Sequence, residues 1–147
     1  MPIVGFNFTK IQAEKSNPIK SDTKIQINTK LGIIKVNKEK LPTGKTKTEG
    51  LRFDFEFSLD YTPNIAKITI EGFIYYLEDP AKIKEIISKY EKDKSLPMDI
   101  KTQVLNTIVL MSTIMALSLE QEINVPPHLP FPSVRPVEEK GKEDYIG

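Results

Sequence analysis

Cysteine is absent from the chain, so disulfides and thiolate metal sites are excluded outright. Histidine occurs once, at His128, and a single imidazole cannot build a typical zinc site. Carboxylates alone would favour calcium or magnesium, yet no Asp/Glu cluster has the spacing of a calcium loop. No metal or cofactor is therefore expected. An excess of charge is missing too: 21 basic residues face 20 acidic ones. A dedicated nucleic-acid binder would carry a clear basic surplus, although a local basic patch remains open. Arginine is confined to Arg52 and Arg135 against many lysines. The Lys/Glu-rich, cysteine-free make-up fits a thermophile and fits the reducing cytosol equally, so a cytoplasmic location is expected. The opening "MPIVGFNFTK" lacks the basic start and long apolar core of a secretory leader.

What is present fits one α+β domain over residues 1–136, followed by a charged tail, "VEEKGKEDYIG", expected to be disordered. The first half reads as strands. "GFNFTKIQAEK" starts with Phe6 and Phe8 in one phase. In "TKIQINTKLGIIKVNKEK", Ile25, Ile27, Leu31 and Ile33 share one phase, while Ile34 and Val36 fall in the other. A bulge at Gly32, or a strand passing between two environments, accounts for the switch. "LPTGKTKTEG" (41–50) reads as a polar loop. "LRFDFEFSLDY" then alternates strictly, with Leu51, Phe53, Phe55, Phe57, Leu59 and Tyr61 on one face, which predicts a sheet with one buried and one wetted side. "TPN" predicts a hairpin into "IAKITIEGFIYYLED". There Phe73, Tyr75 and Leu77 make the outer face apolar, so that face needs a cover.

Two helices follow. Pro80 after Asp79 starts one with Ile83, Ile86, Ile87 and Tyr90 on one side. The second, from about Asp99 to Glu122, carries no charge between Thr102 and Leu119, which raises the question of a membrane span. Gln103, Asn106, Thr107, Ser112, Thr113 and Ser118 break up the run, and a helix buried against protein is the better reading. Ile108, Met111, Met115 and Leu119 form one stripe, but the helix is apolar nearly all round. One sheet face covers one stripe, so the first helix, a second subunit or a client must cover the rest. Five of the eleven prolines then follow in "NVPPHLPFPSVRP". They end the helix and run extended, so that Val125, Leu129, Phe131 and Val134 can lie along an apolar surface.

No enzyme is legible. The Gly-Lys-Thr of "PTGKTKTEG" lacks the earlier glycine of a phosphate loop and joins two strands, so a solvated hairpin is the plainer reading. Lys45 and Lys47 are still the candidate phosphate-contacting residues, as point charges. Asp54, Glu56 and Asp60 share a wetted face with Arg52, and nothing places them in a tuning pocket. His128 has no evident Ser, Cys or acid partner. What remains is surface: Phe73, Tyr75, Leu77, Met111, Met115 and Phe131 are the candidate client- or partner-binding residues, with core or oligomer packing as the plainer alternative for each.

The order of pieces resembles the SecB protein-export chaperones. "FNFTKIQAEKS" resembles that family's first strand, and "EINVPPHLPFPSV" resembles the segment after its long helix, so the likeness spans about Val4–Val134 on pattern and order alone. It implies a four-stranded antiparallel sheet with helices on one face, assembly into dimers or tetramers, and an ATP-independent holdase for unfolded or nascent polypeptides. The family is usually acidic where this chain is neutral and lysine-rich, so docking on a translocase motor is not carried over. The alternative is a non-enzymatic adaptor, or a ribosome-associated protein touching nucleic acid through lysine-rich loops.

Overall fold

The alternation in "LRFDFEFSLDY" becomes the centre of the sheet. The computed structural model describes residues 3–22, 24–43, 46–130, 132, 134 and 136, with backbone alone at 42, 43, 46 and 47. Its elements are strands β1 (Ile3–Lys15), β2 (Gln26–Thr43), β3 (Thr46–Thr62) and β4 (Ala66–Tyr76), then helices α1 (Pro80–Asp93) and α2 (Met98–Glu122). This is the expected α+β class: one four-stranded antiparallel sheet, in the order β1-β4-β3-β2, with both helices on one face. Charged tail residues 137–147 lie outside the described residues, as does Phe131.

On β3, Leu51, Phe53, Phe55, Phe57, Leu59 and Tyr61 are all essentially inaccessible, and Ile68, Ile70, Ile74 and Tyr76 of β4 continue the same face. Phe6 of β1 stacks on Phe55 at 5.2 Å between ring centres and meets Phe8 edge-on at 5.0 Å, extending the aromatic layer to the sheet margin. Gly72 makes that margin possible. A Cβ there would lie 2.1 Å from the Asn7 carbonyl oxygen and 2.8 Å from the Phe55 ring. The chain then crosses from β1 at one margin to β2 at the other. Ser16 and Asn17 anchor this crossover by donating from their backbone N–H groups to the Ile65 carbonyl.

Two expectations need correction. The bulge in β2 sits at Ile34, between the pairs Ile33↔Phe55 and Lys35↔Asp54, rather than at Gly32. The extra residue returns Val36 to the core side, where it is buried, and turns Ile34 out to 55% exposure. The span 41–50 is mostly ladder instead of loop, with β2 and β3 paired out to Thr43↔Thr46. Leu41 is buried and lies close to Gly50, so local packing holds these polar residues in extended form against their turn propensity.

Both helices start within a residue of expectation, and α2 ends at Glu122 as expected. α1 buries Ile83, Ile86 and Ile87, with Tyr90 half-buried. α2 buries Ile100, Val104, Ile108, Ser112, Ala116 and Glu120, every fourth residue along its length. By length and composition α2 could cross a bilayer; its one buried row packs on the sheet, touching all four strands. It ends in a Schellman turn: Asn124 takes φ 57°, Val125 N–H donates to the Glu120 carbonyl at 3.0 Å, and Asn124 N–H donates to Gln121 at 3.3 Å.

Candidate functional site

β2 is a terminal strand, and between part of it and the helices a gap opens. The gap is a groove of about 860 Å³. Its floor and one wall are Leu31–Asn37 of β2; the other wall is Tyr90 and Lys94 at the end of α1, Leu96, and Lys101 and Leu105 at the start of α2. Local chain chemistry sets the helix wall. Lys94 ends α1 in the left-handed region at φ 59°, its N–H donates to the Tyr90 carbonyl at 2.7 Å, and its ammonium lies 4.9 Å from the Tyr90 ring centre. Pro97 then forces the restart as α2. The floor is apolar, with Ile34 and Leu31 exposed, while Lys35, Lys94 and Lys101 stand at the rim against Glu91. Among the described residues none of these three lysines has a carboxylate within ion-pair distance.

A second apolar surface is the outer side of α2. Leu110 and Ile114 are 61% and 60% exposed, and Val109 joins them, with neutral side chains all around. Among the described residues α1 makes no close backbone contact with α2, so it is not the cover that the all-round apolar helix requires. Of the two methionines singled out in the sequence, Met115 is half-buried against the core, whereas Met111 is 37% exposed.

Phe73, Tyr75 and Leu77 lie on the opposite side of the sheet from the helices, as their alternation with Ile74 and Tyr76 requires. They are half-buried without a second layer. The Phe73 and Tyr75 rings are 5.0 Å apart, and the Arg52 guanidinium covers Phe73 at 4.0 Å while donating to Asp54 at 3.1 Å. Tyr75 sits against Gly5, and Leu77 against Gly50. The structure therefore separates Phe73, Tyr75 and Leu77 from Met111 and Met115; they do not line one groove. Lys45 and Phe131 lie outside the described residues, as does the side chain of Lys47.

The sequence reading missed an acid partner for His128. Glu120, eight residues earlier, is 2% exposed and receives three donors. These are the Tyr61 hydroxyl, the His128 backbone N–H at 2.7 Å and His128 Nδ1 at 2.9 Å. The Tyr61 hydroxyl also lies 2.5 Å from the Pro126 carbonyl oxygen, and the imidazole meets the Phe57 ring edge-on. Burial first, then the hydrogen bond and charge of Glu120, push the Tyr61 phenol well above its ordinary range. Every group here is enclosed, so the cluster acts as a lock that ties the proline segment to the end of the sheet. Val125 is buried as expected, but Leu129 and Val134 are 43% and 98% exposed, and His128 supplies the anchor instead.

No protein-family model matches the chain, and no curated protein matches it. Among solved structures the chain is similar to a SecB-like chaperone of Mycobacterium tuberculosis in complex with a ChAD peptide from the HigA1 antitoxin. The two are 12% identical, with 92% of this chain and 91% of that chain covered and a TM-score of 0.49.

Proposed function

We propose that this chain is a non-enzymatic, ATP-independent binder of unfolded or nascent polypeptides, a holdase acting in the cytoplasm as a homo-oligomer. The observation that carries this reading is one molecule bearing both an open groove at β2 with Leu31 and Ile34 exposed and an uncovered, uncharged helix face at Leu110 and Ile114. Unfolded chains offer Leu- and Phe-sized groups, and each one buried contributes roughly 1.5–3 kcal/mol, enough for repeated weak capture without nucleotide energy. Contiguous exposed apolar surface of this kind marks interaction sites.

Suppression of client aggregation, measured at rising salt, tests the reading. Capture through apolar surface persists at high salt, because salt strengthens apolar burial. Ribosome or nucleic-acid docking through lysines falls steeply instead. Leu110→Ser combined with Ile114→Ser should weaken suppression while leaving the fold intact. A protein that neither suppresses aggregation nor binds an apolar dye is not a holdase.

A further inference from the structure

We infer that the free edge of β2 between Leu31 and Asn37 takes up an extended segment of another polypeptide as a fifth strand, and that this segment alternates acidic with apolar residues. The inference rests on the polypeptide-binding reading above and names the partner chemistry at the groove. A terminal strand presents unpaired N–H and C=O groups that a new strand can satisfy at a spacing of about 4.8 Å. Here that edge opens into a groove large enough to receive a backbone and one row of side chains. The bulge leaves Ile34 outside the ladder with β3 at 55% exposure, and with Leu31 on the same strand and Leu105 across the groove it makes up apolar lining.

Charge selects the occupant. Lys35, Lys94 and Lys101 ring the groove without carboxylate partners among the described residues, and Glu91 is the acid among them. A second β2 edge is a poor occupant. Antiparallel pairing of two such strands would crowd Lys30, Lys35, Lys38 and Lys40 against their counterparts. A strand bearing Asp or Glu at alternate positions meets Lys94 and Lys101 with opposite charge on the helix side; Lys35, paired with Asp54, lies on the other side of the sheet, and the intervening apolar residues face that way.

The test titrates labelled ten-residue peptides onto the full chain. One alternates glutamate with valine, one alternates lysine with valine, and one is the glutamate peptide N-methylated along a single edge. The glutamate peptide should bind about tenfold tighter than the lysine peptide at low salt. N-methylation, which removes backbone donors and leaves every side chain in place, should cost about tenfold or more. Lys94→Glu combined with Lys101→Glu should reverse the preference between the two charged peptides. Equal binding of the charged peptides, or indifference to N-methylation, overturns the inference. If aggregation suppression is intact in that case, strand addition fails alone; if it is absent as well, the holdase reading fails with it.

Discussion

Glu120 decides how the chain ends. Its carboxylate gathers donors from β3 and from the proline segment, so removing it strands a buried phenol and a buried imidazole together. Glu120→Ala should destabilise the fold by about 3 kcal/mol in a denaturant titration, and Tyr61→Phe by about 1–2 kcal/mol, with the double mutant costing less than the sum. Additive losses would show that the groups do not act as a unit. The pairing was not legible beforehand, because it appears only when the segment after α2 folds back; nothing local relates a glutamate on an apolar helix to a histidine among prolines. The tyrosines carry a pH prediction. Tyr76 is pushed up to about 12, mainly by burial and then by its hydrogen bond to Glu78, and Tyr61 moves in the same direction. A phenol that holds its proton more tightly when folded stabilises fully below about pH 10, its ordinary value, and loses that contribution as the pH rises toward 12. Tyrosinate absorbance from these two residues should therefore appear together with unfolding above pH 10. Ionisation near 10 with the fold intact would contradict their enclosure.

Among the elements, α2 was read correctly in extent and incompletely in orientation. Charge-free composition hides which side is covered, because periodicity cannot rank faces that are all apolar. The structure settles it through a row at every fourth residue. Ile108→Ala, inside that row, should cost about 2–5 kcal/mol, whereas Leu110→Ser, outside it, should stay within about 0.5 kcal/mol. Comparable losses for the two would place the wrong face on the sheet. Ser112 lies in the same row, fully buried, with a hydroxyl that has no hydrogen-bond partner among the described residues. Ser112→Ala should raise stability by about 1 kcal/mol, visible as a higher denaturant midpoint with an unchanged slope. In β2 the phase switch at Gly32–Ile34 was legible as a bulge, though two residues out of place. The stretch 41–50 was misread because Gly, Pro and Thr signal a turn, while pairing with a long neighbouring strand outweighs that signal.

At the scale of the whole molecule, the order of strands and helices was open to reading, since strict alternation on β3 and β4 and amphipathic spacing on α1 each depend on neighbours in sequence. The groove was not. Its walls come from Leu31–Asn37, Tyr90–Leu96 and Lys101–Leu105, which only the folded topology brings together. The aromatic cluster on the other side of the sheet is legible in the alternation of β4, whereas the Arg52 guanidinium over Phe73 is not. The proposed function places bound polypeptide at the β2 groove and the outer side of α2. Hydrogen–deuterium exchange of the full chain, with and without an unfolded client, measures this directly. Client should slow exchange along Leu31–Asn37 and across Val109–Ile114, with little change on the sheet face of Phe73 and Tyr75. Slowing confined to that aromatic face, or no slowing at the β2 edge, would contradict it.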